Sequence, residues 1–329
     1  MNQRIHNKVN TLPKRNPGRV YTTKMNYSSL ATNPLQIKLN PNFITGFVDG
    51  EGCFSIAITK NSDLKTGWRV QAIFSIHLHK KDRDILEGIK SYFGSVEILT
   101  TPEKNSVQFR VSSLQGLIKI VDHFNKYPLI TKKFADFKLF EMVVLMMVRK
   151  EHLTIQGLQK IINMRATLNW GLTDELKKAF PDTTPVIRPL VEQPQNLDHD
   201  WIAGFVSGEG CFMIKIKPSI TKLGETIHLE FQITQNNRDE LLMKKLASYF
   251  KAGKCYDTGK AIDFRVAKLS DITEIILPFF DKYKIQGVKS IDFKDFKRVA
   301  ELMKNGDHLT SEGLEKIRLI KATINRGRE

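Results

Sequence analysis

Cysteine is scarce in this chain: three residues in 329, with no Cys-x-x-Cys spacing. That excludes a disulfide framework and a cysteine-based zinc module, and it fits a reducing compartment. Cys53 and Cys211 hold matching places in an internal repeat and read as small buried residues. Long apolar runs are missing as well. The longest, around Met142 to Val148, is far too short to cross a bilayer. Acid is absent from one whole stretch, since no Asp or Glu occurs before Asp49.

What is present in excess is positive charge. Fifty-one Lys and Arg against 35 Asp and Glu leave a formal charge of +16 and an isoelectric point near 9.6. Such an excess points to a polyanionic partner, with nucleic acid first among candidates.

The chain also repeats itself. Phe43-Ile44-Thr45-Gly46-Phe47-Val48-Asp49-Gly50-Glu51-Gly52-Cys53-Phe54 returns as Trp201-Ile202-Ala203-Gly204-Phe205-Val206-Ser207-Gly208-Glu209-Gly210-Cys211-Phe212. The offset is 158 at the glutamates (209 − 51), 157 at Ser91-Tyr92-Phe93 (248 − 91) and 156 at His152-Leu153-Thr154 (308 − 152). Two copies of so long a period mean a duplicated domain rather than a solenoid. At this length, each half can hold a core of its own.

Gly46 and Gly50 share one helical face, as do Gly204 and Gly208. Faces without Cβ atoms let two helices pack backbone to backbone. If the two segments pair, Glu51 and Glu209 meet at adjacent helix C-termini, where their charges repel each other and both helix dipoles add to the repulsion. A divalent cation between them is the natural remedy, and this pair is the predicted catalytic and metal-binding centre. Asp49 has Ser207 as its repeat partner, so a structural role is expected for it.

Each half reads as αββαββα, an α+β unit with an antiparallel sheet covered by helices on one face. A helix near Pro41–Gly50 leads into a strand with Phe54, Ile56 and Ile58 inward, then a second with Trp68, Val70, Ala72, Phe74, Ile76 and Leu78 inward. A helix from Asp82 to Phe93 and a strand pair at Val96–Leu99 and Val107–Val111 follow. The opposite face carries Arg69, Gln71, Ser75, His77, His79 and Arg110 in the first half. In the second half it carries Lys215, Lys217, His228, Gln232, Thr234 and Arg265. These are residue types that contact phosphates and base edges, and an open cationic β-surface fits the DNA major groove. His77 and His79 could form an i, i+2 metal pair, but with no third ligand a DNA-facing role is expected. Thr154 and Thr310, after His152 and His308, read as helix N-caps.

Both Gly-Glu-Gly segments resemble the LAGLIDADG signature of homing endonucleases, with Glu as the final acid. The likeness runs from about Asn42 to Asn325 and is greatest to single-chain members encoded in fungal mitochondrial introns. It implies a monomer with pseudo-twofold symmetry whose two sheets form a saddle on double-stranded DNA. It also implies Mg²⁺-dependent, site-specific double-strand cleavage leaving short 3′ overhangs, and a mitochondrial location. Glu51 and Glu209 would ligate the metal, helped by the carbonyls of Gly50 and Gly208. Gln235 would position a water and Lys268 would stabilise charge, with Leu78 and Ser113 at the equivalent first-half positions. Hard oxygen donors suit Mg²⁺, which keeps waters and phosphate oxygens in its remaining positions. Two other functions use the same fold: an RNA maturase acting on the chain's own intron, and a non-catalytic DNA-binding regulator.

The expected organisation is a basic tail (1–38), a first domain (39–168), a proline-containing linker (169–198) and a second domain (199–329). The linker opens with a short helix, Asp174 to Ala179, and then becomes extended. The acid-free tail reads as disordered without a decisive role. A presequence, a translated host-exon segment and a loose arm on DNA phosphates are the alternatives.

Overall fold

The computed structural model describes residues 39–94, 99–220 and 223–325. The expectations for the basic tail, and most of the predicted Val96–Leu99 strand, lie outside them.

Each half begins with a capped apolar helix. At the start of α1 (Pro41–Glu51), Asn40 accepts a hydrogen bond from the Asn42 amide at 2.8 Å, and Pro41 sits in the first turn. At the start of α7 (His199–Glu209), Asp198 accepts from the Trp201 amide at 2.9 Å. Glu51 and Glu209 are the last helical residues, and Gly52 and Gly210 open the next strands. A Cβ on Gly52 would lie 2.4 Å from Val48 Cγ1, and one on Gly210 would lie 2.5 Å from Val206 Cγ1. The second glycine of each Gly-Glu-Gly is therefore needed for the abrupt passage from helix to strand.

The two helices pack on each other through their backbones. A Cβ on Gly46 would stand 2.0 Å from the Trp201 carbonyl oxygen, and one on Gly204 would stand 2.0 Å from that of Phe43. Each contact is the image of the other under the repeat, which is how a twofold interface behaves. Ile44, Phe47, Val48, Ile202, Phe205 and Val206 are all buried around this crossing.

The sheets follow the expected alternation. β1 (Gly52–Lys60), β2 (Trp68–His79) and β3 (Ser106–Val111) form an antiparallel sheet in that order. In the second half, β4 (Gly210–Pro218), β5 (Glu225–Asn236), β6 (Lys254–Asp257) and β7 (Ala261–Val266) have the order β4-β5-β7-β6. Gly52 pairs with Ile76 and Gly210 with Ile233, so the two halves share one register. Where β6 has its counterpart, the described residues show a single bridge, Thr100 to Gln108. Cys53 corrects the sequence reading. The period-two pleat that buries Phe54 turns its neighbour to the open face, so Cys53 is exposed and Cys211 half-buried.

Helices cover one face of each sheet. They are α2 (Arg83–Phe93), α3 (Leu114–Lys126), α4 (Lys133–Val148) and α5 (Ile155–Thr167) in the first half. The linker contributes α6 (Asp174–Ala179), and the second half has α8 (Glu240–Phe250), α9 (Leu269–Asp271), α10 (Leu277–Lys282), α11 (Lys289–Lys304) and α12 (Ser311–Thr323). Phenylalanines join the layers: Phe54 lies 5.3 Å from Phe140, and Phe212 lies 5.3 Å from Phe296, ring centre to ring centre. Thr154 and Thr310 cap α5 and α12 as expected, accepting from Gly157 and Gly313 amides at 3.0 Å.

One length difference between the halves has a visible outcome. Leu117 matches Ile272 (offset 155) and Phe124 matches Phe280 (offset 156), so the second half carries one extra residue there. Between α9 and α10 the chain adopts a π turn, Ile272–Ile276. A π bulge is how a helix absorbs an inserted residue without breaking.

After α6 the linker is extended but tied down. Arg188 pairs with Asp136 at 2.9 Å and donates to the carbonyls of Thr167 and Lys132, and Gln193 donates to the Ile130 carbonyl at 3.0 Å.

Replacing Gly46 or Gly204 by Ala should destabilise the protein by about 3 kcal/mol or more, because the new methyl collides with immovable backbone. Urea denaturation measures this, and a change below about 1 kcal/mol would contradict the close helix contact.

Candidate active centre at the helix junction

Glu51 and Glu209 leave their helices across each other's glycines. A Cβ on Gly50 would lie 3.1 Å from Glu209 Cγ, and one on Gly208 would lie 3.2 Å from Glu51 Cγ. Burial raises the pKa of Glu51, and the negative charge of Glu209 raises it further, while Lys289 and Lys133 act the other way. Among the described residues no cluster of three or more His, Cys, Asp and Glu occurs, so this centre offers two carboxylates and main-chain oxygens.

Two lysines complete it, and the sequence reading missed both. Lys133, the first residue of α4, donates from Nζ to the carbonyls of Val48 at 2.9 Å and Gly50 at 2.8 Å. Lys289, the first residue of α11, donates to the Gly208 carbonyl. Each ammonium thus caps the negative end of α1 or α7. Burial lowers the pKa of both, against the pull of the two glutamates. A signal was available: Lys133-x-x-Asp136-Phe137 returns as Lys289-x-x-Asp292-Phe293, at an offset of 156 (289 − 133).

A cation at a helix N-terminus is itself unfavourable, and each of these helices is balanced from the opposite half. Asp239 accepts from the Lys132 amide at 2.8 Å, while Asp82 accepts from the Val288 amide at 2.7 Å. Asp49 is structural, as expected. Buried, it accepts from the amides of Ile130 (3.0 Å) and Thr131 (3.2 Å), and from the Trp201 indole of the other half at 2.8 Å. Ser207 does part of this work, accepting from the Gln286 amide at 3.1 Å. Beside Glu51 a cavity of about 270 Å³ is lined by Leu78, Asp82, Gly208, Lys289 and others.

Gln235 and Lys268 fare differently. Gln235 follows Ile233, the partner of Gly210, on the helix-covered side of β5. Its repeat equivalent Leu78 (235 − 157) lines the cavity by Glu51. Lys268 lies past the end of β7, where Val266 already pairs with Phe231, and the chain runs away from the Ile233–Gly210 pair. Its side chain is 75% exposed and meets Asp271 at 3.6 Å. Lys133 and Lys289 are therefore the cations at the carboxylates, because helix N-termini approach them and the strand end does not.

The predicted DNA-contacting residues all point away from the helices. Arg69, His77, His79 and Arg110 are exposed, with Gln71 and Ser75 between them; Lys217, His228 and Thr234 are exposed on the second sheet. The other two predicted cations of that sheet are paired with acids. Lys215 pairs with Glu230 at 2.6 Å and Arg265 with Asp263 at 2.5 Å. His79 also caps the following turn, accepting from the Lys81 amide at 3.3 Å.

A duplicated α+β chain with paired glutamates between two open polar sheets defines a protein of two fused, equivalent halves. A family profile described as LAGLIDADG endonuclease matches residues 44–144 and 202–300. The probable intron-encoded endonuclease 2 of Neurospora crassa is 41% identical over 320 residues, spanning 91% of this chain and 70% of that protein. The crystal structure of the I-SmaMI LAGLIDADG homing endonuclease bound to cleaved DNA is 43% identical. It superposes with a TM-score of 0.87 over 89% of this chain and 99% of that one. The same enzyme bound to uncleaved DNA with calcium ions gives 0.85. This chain belongs to the LAGLIDADG endonuclease family.

A divalent cation should raise the melting temperature of the protein. A protonated carboxyl cannot ligate, so this gain should shrink as pH falls. Because the pKa of Glu51 is raised above its ordinary 4.5, the loss should begin at higher pH than for a free glutamate. Scanning calorimetry with and without Ca²⁺ between pH 8 and pH 5 tests this, with Glu51→Gln expected to abolish most of the gain at every pH.

Proposed function

We propose that this chain is a site-specific, double-strand DNA endonuclease of the intron-homing kind, acting as a monomer whose two halves each address one strand. The observation that carries this reading is the junction itself. Two glutamates from equivalent helices meet there, each beside a buried lysine, between two sheets with open polar faces. The intron-encoded relative in Neurospora crassa and the DNA-bound I-SmaMI structures support the substrate class. A mitochondrial setting fits the same kinship. No helix among the described residues is long and apolar enough to cross a membrane.

The donor set fits a hard divalent cation, for which Mg²⁺ is proposed. Glu51 and Glu209 supply charged oxygens, and the carbonyls of Gly50 and Gly208 each keep a lone pair beyond the one given to lysine. When bound, such an ion supplies a Lewis acid for phosphoryl oxygen and acidifies a coordinated water. The chain's own groups do the rest. Lys133 and Lys289 hold fixed positive charge where negative charge develops on the phosphate, in a partly water-excluded place where it counts most. Gln235 is proposed to orient water beside Glu209, a role for which Leu78 has no polar atom. The open faces then hold the duplex. Arg69 and Lys217 are proposed for phosphates, and Gln71, His77, Arg110, His228, Gln232 and Thr234 for base edges.

Glu51→Gln and Glu209→Gln should each retain folding and DNA binding but lower double-strand cleavage by about a thousandfold or more, leaving at most nicking. Normal double-strand cleavage by either variant in Mg²⁺ would refute the assignment. Lys133→Met and Lys289→Met should each cut the rate by roughly a hundredfold and also lower the melting temperature, because the glutamates and the helix-end carbonyls lose a cation. Affinity should fall steeply with salt. A flat response between low and moderate salt would argue against the sheet faces as the DNA surface.

A further inference from the structure

Arg265 is held on the open face of the second sheet by several neighbours at once. Its Nη2 donates to Asp263 Oδ2 at 2.5 Å, and its guanidinium carbon lies 5.2 Å from the centre of the Tyr256 ring. Asp263 is fixed in turn. Thr234 Oγ1 donates to its other oxygen at 2.6 Å, and Gln232 Nε2 donates to that hydroxyl at 2.8 Å. The Asp263 side chain is only 6% exposed, whereas that of Arg265 is 34% exposed. Arg265 Nε is buried without a partner, so the donors open to a ligand are those at the tip of the guanidinium.

The first half provides the comparison. Arg110 holds the equivalent place (265 − 155), pairing with Ser75 as Arg265 pairs with Gln232. Where Asp263 stands, the first half has Gln108 (263 − 155), which supplies no carboxylate. Arg110 is exposed, and its aim is not fixed in this way.

We propose that Asp263 is a specificity-determining positioning residue, which locks Arg265 as the reader of one guanine in the DNA half-site under the second sheet. The inference rests on the DNA-cleaving function proposed above. A guanidinium tip with parallel N–H donors matches the paired O6 and N7 acceptors of guanine in the major groove. A phosphate contact would need no such aim, and the neighbouring carboxylate makes the pair electrically neutral, which disfavours a role as general phosphate ligand. Clamping also removes the rotamers by which a free arginine would satisfy acceptors on other base pairs. Arg110, without the clamp, is left to tolerate sequence variation at the mirrored position.

The test is selection of bound sequences from a random duplex pool, in Ca²⁺, by the full-length protein and two variants. The wild type should enrich one site with an invariant guanine in the second half-site. Asp263→Asn should relax that single position by about tenfold. It should also steepen the salt dependence of affinity, because the arginine charge is freed. A purely structural role would instead depress binding to all sequences alike. Gln108→Asp should create a guanine preference at the mirrored position. An unchanged profile in both variants overturns the proposal, as does a switch to a different preferred base in Asp263→Asn, which would make Asp263 itself the reader. If Asp263→Asn melts early, Gln108→Asp alone decides. Failure of the wild type to enrich any DNA would sink the proposed function and this inference together.

Discussion

The fold depends on the contact in which Gly46 and Gly204 let the Trp201 and Phe43 carbonyls approach to where a Cβ would stand. Two helices that touch through their backbones bring their C-terminal ends to one point. The next residues, Glu51 and Glu209, have nowhere to go except across the neighbouring helix. Much of the chemistry of the centre follows from that packing: burial raises the Glu51 pKa, the charge of Glu209 raises it further, and the pair demands cations. The protein meets part of the demand itself, with ammonium groups imported from helices that start nearby.

The distribution of charge around the junction follows one rule. Helix C-termini gather positive groups, here Lys133 and Lys289, and helix N-termini gather negative ones, here Asp239 and Asp82. The lysines are displaced from where helix electrostatics would favour them, at the first positions of α4 and α11. Two equivalent residues occupy this unfavourable place in both halves, where each donates to carbonyls at the C-terminal end of α1 or α7.

Much of this was legible in the sequence. The repeated Gly-x-x-x-Gly-Glu-Gly fixed the helix pair, because only a backbone contact explains glycines spaced by one turn in both copies. Period two in β1, β2, β4 and β5 separated a phenylalanine core from a polar face. The same rule, applied one residue further, would have put Cys53 on the open side. Lys133 and Lys289 were hidden because their partners are carbonyls, which leave no trace in side-chain patterns. Their recurrence before Asp-Phe was the only sign. Lys268 follows the end of β7, exposed and paired with Asp271, and nothing in its sequence context indicates in which direction that strand runs relative to the glutamates. The open face is less cationic than its lysines and arginines alone suggest, since Glu230 on β5 pairs with Lys215 on the neighbouring β4, and Asp263 pairs with Arg265 two residues along β7.

Asp82 and Asp239 show why the duplication is more than an economy of genes. Each carboxylate closes the first turn of a helix belonging to the other half, so neither half satisfies its own buried amides alone. Thermodynamically the repeat boundary is therefore no boundary. Opening one half would orphan donors in the other, and the two should melt as one cooperative body. In such a body the spacing between Glu51 and Glu209 is set by the fold of a single chain, and neither glutamate can shift register while the other stays in place.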